Sequence, residues 1–461
     1  MTLSPAQADV LERLLDAHSF APIRSQVRSL RVEGGPAGDG VVCGEGRIEG
    51  RRVFCFEQNP GVLGGSLGEV HADSICAVLD LAGRFGAPVV GIHRSGGARI
   101  QEGVAALAGY GRIFSRHVRL REVVPQIALV FGPCAGGAAY GPALMDLVVM
   151  PRRGAYMFLT GPDVVREVTG EDVGVEELGG AGVAERSGLA SLVGLDEDHA
   201  LEQTRVALSL LPSRIGDSSP RACEWRVPDG DPGEVVPDDP RVAYDVRAVI
   251  DRVVDDSSFL ELRRGSAKNM VVGWARLEGS VIGIVANQPH TLAGAIDAEA
   301  SRKGAWFVQL CDRFGIPLAV FVDTPGFLPG TAQELGGVIP AGASFLSAFV
   351  GARVAKATVV LRKAYGGAYI VMNARDLGAD YAFAWPGAEI AVLGAPGAVR
   401  ILERRRIAGA NDPEALRADL EDEYRQRFCT PWPAAHDGHI DEVIEPGKTR
   451  SRLSLALGSN H

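Results

Sequence analysis

The sequence predicts an α/β layered fold built twice in tandem, and three observations predict it. The two halves repeat one another in register, short β-rich apolar runs alternate with helix-like segments inside each half, and a proline- and glycine-rich stretch lies between them. At 461 residues the chain is too long for one ordinary core. Taking roughly 150 residues per domain, length alone allows two or three domains.

The repeat is read first, because a missed repeat misreads the whole fold. Gly46-Arg47-Ile48-Glu49-Gly50 matches Ala275-Arg276-Leu277-Glu278-Gly279, and Arg84-Phe85-Gly86-Ala87-Pro88 matches Arg313-Phe314-Gly315-Ile316-Pro317, each pair 229 residues apart. Gly136-Gly137-Ala138 then matches Gly366-Gly367-Ala368 at an offset of 230. Prolines, glycines, serines and aspartates concentrate from Pro212 to Pro240, which marks a linker. The expected domains are 1–222 and 223–461.

Within each half the alternation is local. Ile75 to Phe85 reads as a helix feeding the strand-like Val89 to Ile92, and Ala305 to Phe314 as one feeding Leu318 to Val322. Such alternation predicts helices layered on a sheet. Val123 to Met145 carries no charged side chain, long enough to raise a membrane span. Pro125, Pro133, Pro142 and a glycine cluster break it, so it reads as a buried strand, a glycine loop and a buried helix.

Composition narrows the function classes. A hydrophobic fraction of 46% with 23% charged residues suits a folded core. A net charge of -10 opposes a phosphate backbone, so nucleic acid is excluded as the main partner. The seven cysteines are scattered singly, with no Cys-x-x-Cys, which predicts buried thiols in a reducing, cytoplasmic compartment and no zinc ribbon or other metal site. Met1 to Leu15 mixes charges with leucines and does not read as a signal peptide.

The chemistry is expected at the glycine loops. The strand-like Ile127 to Phe131 leads into Gly132-Pro133-Cys134-Ala135-Gly136-Gly137-Ala138-Ala139-Tyr140 and then a helix, and Ala364-Tyr365-Gly366-Gly367-Ala368-Tyr369 repeats the device. Glycine lets a ligand approach the backbone. N–H groups at a helix start favour developing negative oxygen. One such loop by itself reads first as a tight strand-to-helix turn, whereas two in one register suit a reaction with two developing oxyanions. Carboxyl transfer is such a reaction, with a thioester enolate on one side and a ureido anion on the other.

Five segments carry a resemblance. They are Gly64-Gly65-Ser66-Leu67-Gly68-Glu69-Val70-His71, Ser95-Gly96-Gly97-Ala98-Arg99-Ile100-Gln101-Glu102-Gly103, Thr160-Gly161-Pro162-Asp163-Val164-Val165, Gly283-Ile284-Val285-Ala286-Asn287-Gln288-Pro289, and Asp323-Thr324-Pro325-Gly326-Phe327-Leu328-Pro329-Gly330-Thr331-Ala332-Gln333-Glu334. From about Val41 to Leu455 the chain resembles the carboxyltransferase (β) subunits of biotin-dependent acyl-CoA carboxylases, of the propionyl-CoA carboxylase type. The resemblance implies two tandem crotonase-like (ClpP/crotonase) domains related by duplication. It also implies a hexamer with each site between the first half of one chain and the second half of another. By position, Gly136 and Gly137 would hold the acyl thioester oxygen, and Gly367 and Ala368 the biotin ureido oxygen, with Gly366 on the biotin side. Gly96, Gly97, Ala98, Arg99, Ala135 and Ile370 are expected near the acyl-CoA. No side-chain general base is implied.

Other candidates remain open between two readings. Cys134 reads as a nucleophile or a buried thiol. Glu102 and Glu334 read as acid/base groups or helix caps. Arg112, Arg116 and Arg119 read as a CoA-phosphate face or a solvated basic face, and Arg99 as a CoA contact.

The chain departs from the family pattern near the chemistry. Ile370 stands where the family commonly has Asp, Pro340-Ala341 where it has Arg-His, His93-Arg94 where it has Asn-Asp, and Thr430-Pro431-Trp432 where it has Asn-Pro-Tyr. The basic N-terminal segment of the family is missing as well. These changes predict a specialised, biosynthetic member with an acyl preference other than plain propionyl-CoA. With no Met-Lys-Met acceptor and no glycine-rich ATP segment here, the carboxybiotin is expected from a biotin carboxylase and carrier partner. Decarboxylation through the same site, and a non-catalytic assembly role, are the alternatives carried forward.

Overall fold

In the computed structural model, which describes residues 9–458, the chain divides into two compact units. The first ends at Ser219 and includes Arg263–Ser266, and the second takes Pro220–Leu262 and continues from Ala267. Each is built on an eight-stranded sheet.

The first sheet comprises β1 (Ala21–Ile23), β2 (Val41–Ile48), β3 (Arg51–Gln58), β4 (Val89–Ser95), β5 (Gln126–Ala135), β6 (Leu147–Pro151), β7 (Tyr156–Phe158) and β8 (Leu192–Gly194). Its order is β1-β2-β3-β4-β5-β6-β8, with β7 beside the end of β5. The second sheet comprises β9 (Leu260–Leu262), β10 (Met270–Leu277), β11 (Ser280–Asn287), β12 (Leu318–Thr324), β13 (Lys356–Tyr365), β14 (Tyr381–Ala384), β15 (Glu389–Ala391) and β16 (Glu442–Val443). Its order is β9-β10-β11-β12-β13-β14-β16, with β15 beside the end of β13. The two sheets therefore share one plan.

Each repeated motif has a geometric job. Arg47-Ile48-Glu49-Gly50 turns the antiparallel β2–β3 hairpin with Glu49 and Gly50 both at positive φ (50° and 74°), and Glu278 and Gly279 turn β10–β11 in the same way (52° and 80°). Carboxylates steady both turns: Asp16 accepts from the N–H groups of Glu49 and Gly50, and Asp255 from those of Glu278 and Gly279. Parallel neighbours need crossovers, and helices supply them. Helix Glu69–Phe85 joins β3 to β4, and helix Val104–Leu120 joins β4 to β5. Gly86 and Gly315 end the two matching helices, Glu69–Phe85 and Ala298–Phe314, in the left-handed conformation at φ 62° and 67°.

Both helices start earlier than the apolar pattern alone predicts. Their first turns carry Glu69, His71 and Asp73, or Glu299 and Arg302, and so lie outside the apolar runs. Strand β5 runs on through Gly132-Pro133-Cys134 to Ala135, segments expected to be loop. The proline is accommodated because β4 and β5 shift register between His93 and Ser95, and β12 and β13 shift alike between Val322 and Thr324. Cores form on the central strands: Val89, Ile127 and Leu129 in one unit, and Ile284, Phe321 and Val359 in the other, are fully or almost fully buried. Burial of each such side chain is worth about 1.5–3 kcal/mol. Among the described residues no helix is long and apolar enough to cross a membrane, and the uncharged Val123–Met145 stretch is β5, a tight turn and the short helix Tyr140–Leu144.

Candidate functional site

Two turns of the same shape sit where strand gives way to helix. In the first unit β5 ends at Ala135 in extended backbone (φ −108°, ψ 148°), Gly136 takes φ 58°, and a 3-10 turn Gly136–Ala139 leads into helix Tyr140–Leu144. In the second, β13 ends at Tyr365 (φ −110°, ψ 137°), Gly366 takes φ 57°, and helix Gly366–Val371 follows. A left-handed residue with a side chain costs about 1–2 kcal/mol, which accounts for the first glycine of each pair. The second glycines have different reasons. A Cβ on Gly137 would stand 3.2 Å from the Tyr110 ring, whereas one on Gly367 would meet only Phe327 at 4.0 Å, and Gly367 is exposed.

The first N–H groups of a helical turn have no acceptor inside it. Here they belong to Gly136, Gly137 and Ala138 in one unit and to Gly366, Gly367 and Ala368 in the other. The offset of 230 makes Ala138 the counterpart of Ala368, a position that reasoning from the Gly-Gly pair alone passed over. The repeat itself was the signal that identifies it.

The Ser95–Arg99 loop lies against the first turn. Gly97 has φ 108°, its N–H donates to Ser95 Oγ (3.2 Å), and a Cβ there would sit 3.2 Å from the Ala135 carbonyl oxygen. The loop is pinned from below by Gly96 N–H to Gly64 O (3.0 Å), Leu67 N–H to Gly97 O (2.9 Å) and Arg99 N–H to Leu67 O (2.9 Å). Gly96 is exposed and Ala98 half-buried. The structure thus brings Gly96, Gly97, Ala98 and Ala135 together beside Gly136.

Arg99 is placed differently from the expected CoA contact. It is 1% exposed, and its Nη1 donates to Asp39 Oδ1 and Glu102 Oε1, both at 2.7 Å, while Nη2 donates to the Ser66 carbonyl (3.1 Å). A guanidinium spent on two buried carboxylates is not available to a phosphate. Glu102 in turn accepts from Glu69 N–H (2.7 Å), so it caps the helix Glu69–Phe85 across 33 residues and is a cap, not an exposed acid. Burial raises the Asp39 carboxyl above the usual range. Glu102 is held below it, its burial outweighed by the Glu69 N–H, Arg99 and Ser29. In the second unit Gln333 reaches the matching position, accepting from Ala298 N–H (3.4 Å), while Glu334 is exposed.

The remaining candidates resolve by burial and pairing. Burial pushes the Cys134 thiol up to about 12, which leaves it no thiolate for nucleophilic attack at neutral pH. Cys223 is exposed, unlike the other six cysteines, where buried thiols were expected throughout. Arg112 and Arg116 pair with Asp73 (3.0 Å) and Asp80 (2.8 Å) on the neighbouring helix, so they brace two helices instead of forming an open basic face. His93 is buried edge-on to Phe56 and pushed down to about 3 by desolvation. Arg94 pairs with Glu57 and Glu197. Pro340 stands in the first turn of helix Val338–Gly351, where its missing N–H costs nothing, and Ala341 is buried in a small cluster with Ala298 and Val338. Ile370 is 48% exposed on helix Gly366–Val371, four residues past the first glycine.

Comparison with known proteins gives this arrangement a context. The carboxyl transferase domain matches residues 7–460. The chain is 51% identical over 424 residues to the propionyl-CoA carboxylase carboxyltransferase subunit of Haloferax mediterranei, covering 91% of this chain and 82% of that one. It is 46% identical over 421 residues to the methylmalonyl-CoA decarboxylase subunit alpha of Propionigenium modestum, covering 90% and 81%. The transcarboxylase 12S core, solved as a hexamer with methylmalonyl-coenzyme A bound, superposes with a TM-score of 0.94 at 45% identity, covering 97% of this chain and 88% of that one. That core carries the crotonase-like fold expected from the resemblance, here in two copies.

Proposed function

The chain belongs to the carboxyl transferase domain family, and from that premise we propose that it transfers a carboxyl group from carboxybiotin, borne by a partner carrier, to the α-carbon of an acyl-CoA. The observation that carries this reading is the pair of glycine turns, alike in register and backbone conformation, each presenting N–H groups that its own helix cannot satisfy. One turn serves each developing oxyanion.

The roles proposed are those that the family resemblance implies by position. Gly136 and Gly137, with Ala138 beside them, hold the thioester oxygen as the enolate forms, and Gly97 and Ala135 fix the rim of that turn. Gly367 and Ala368 hold the ureido oxygen of the biotin side, where the space in front of Gly367 suits a ring that must approach the backbone closely. The α-proton passes to the departing biotin group and not to a protein base. The enolate carbon then bonds to CO2. Positioning and electrostatics therefore supply the catalysis. Carboxybiotin is a substrate of this chain, delivered by a biotin carboxylase and carrier partner. A hexamer in a reducing cytoplasm completes the proposal, and seven free cysteines support that compartment.

The test mixes the purified chain with biotinylated carrier, its carboxylase, ATP and bicarbonate, and reads acyl-CoA products by mass. A gain of one carboxyl group on some acyl-CoA is expected; no gain on any acyl-CoA, with a carrier shown to be carboxylated, excludes it. A second reading, decarboxylation of a malonyl-type thioester onto biotin, has support from the similarity to a decarboxylase subunit, and both directions share one transition state. Supplying such a thioester with unloaded carrier separates the two by which reaction runs to completion.

A further inference from the structure

The two turns look alike in backbone, but the strands that deliver them carry different charged groups. At the register shift between β12 and β13, the N–H of Lys363 loses its ladder partner and donates instead to Asp323 Oδ1 (3.1 Å). The other oxygen of Asp323 accepts from Arg362 Nε (3.0 Å), and both groups are buried, at 0% and 5% exposure. Arg362 reaches on to the carbonyls of Asp239 (3.2 Å) and Val242 (2.9 Å) and lies over the Tyr244 ring. Lys363 Nζ donates to the Pro240 carbonyl (2.8 Å). Beside them Glu389 binds the Tyr365 hydroxyl and pairs with Arg425 (3.3 Å). Arg362 is paired with Asp323, and Arg425 with Asp422 (2.7 Å) as well as Glu389, so the cation on this strand that is left with a carbonyl as its hydrogen-bond partner is Lys363.

By the same offsets, the first unit has Arg94, Gly132 and Pro133 at these places. Pro133 has no N–H at the register shift, so no carboxylate is needed there. Arg94 turns to Glu57 (3.5 Å) and Glu197 (3.4 Å), and Glu197 also takes Arg13 (3.4 Å), so the first unit spends its cations on carboxylates. Only the second strand carries a lysine at this place, where the first has Pro133.

We infer that the Asp323–Arg362–Lys363 cluster positions and charges the biotin-side turn, with Lys363 favouring a substrate that arrives as an anion. This rests on the carboxyltransferase reading above. Carboxybiotin enters with a full negative charge and departs through a ureido anion, whereas an acyl thioester carries no charge at its reacting carbon until the enolate forms. A standing positive charge suits the first and does nothing for the second in its ground state. Asp323 acts through Lys363 and Arg362 as a positioning residue, and the strap Pro237–Val242 holds the cationic ends in place.

The test is a kinetic comparison of Lys363→Gln and Lys363→Arg with the unaltered chain, varying purified carboxylated carrier and acyl-CoA separately. Lys363→Gln is expected to lower kcat/KM for the carboxylated carrier about tenfold, leave KM for acyl-CoA and the melting temperature unchanged, and be rescued by Lys363→Arg. Unchanged kinetics in Lys363→Gln would overturn the inference while leaving the function standing. So would an equal loss on both substrates that arginine does not rescue, because that is the mark of a purely structural residue. An unaltered chain that transfers nothing from a loaded carrier removes the function and this inference together.

Discussion

Arg99 illustrates how a single residue changes meaning once its neighbours are known. Its side chain and those of Asp39 and Glu102 are 0%, 2% and 1% exposed, so each charge depends on the others for what water would otherwise provide. Arg99→Met leaves two buried carboxylates without a cation and should destabilise the chain by about 3–5 kcal/mol, read by chemical denaturation. Cys134 gives the opposite case. Its thiol is pushed up to about 12 by burial, so Cys134→Ala should retain turnover in the transfer assay, and a loss beyond what altered packing explains would restore the nucleophile. Ile370 carries the prediction for specificity. Half exposed on the helix that follows the second glycine turn, it puts a branched apolar group where the resemblance expects an acid. Ile370→Asp should therefore reorder the preference among acyl-CoAs of different chain length; an unchanged order across a panel would count against any part for residue 370 in acyl choice.

Between residue and fold, the helices record how one plan was filled twice. Helix Ala298–Phe314 is capped by Asp297, whose carboxylate accepts from Ala300 N–H (2.7 Å), with Gln333 on Ala298 N–H. The matching helix Glu69–Phe85 begins at Gly68, which has no side chain to cap with, and takes its cap from Glu102. Asp297→Ala should cost about 1 kcal/mol of stability, measurable as a lowered denaturation midpoint with an unchanged slope. Gly68 cannot be repaired with a capping aspartate, because a Cβ there would stand 2.4 Å from both Arg99 Nη1 and Glu102 Oε1. The helices were legible from apolar spacing and the glycines that end them, since both are local. Their starts were not, because the polar first turns are fixed by caps arriving from distant loops.

At the scale of the whole chain, the two units differ in how they should respond to acid. His71, His93 and His117 all lie in the first unit, buried, and burial pushes them down to about 3, 3 and 4. The unfolded chain protonates such groups near pH 6.5, well before the folded one does, so stability falls as pH drops from about 6.5 toward 4. With three protons in play the slope reaches about 4 kcal/mol per pH unit at its steepest. Hydrogen exchange followed by mass should find the first unit opening before the second over that range, and simultaneous opening would refute the assignment. The sequence by itself determined the duplicated α/β plan and both glycine turns. These depend on short-range periodicity, on backbone angles that only glycine takes easily, and on a register that a repeat preserves. Only the tertiary structure decided that Arg99 is an internal tie, that Glu102 caps a helix 33 residues away, and that Asp323 ties down Arg362 on the strand leading to the second glycine turn. Those outcomes depend on which side chains the sheets bring within 3 Å of one another across tens of residues, and no local pattern encodes that.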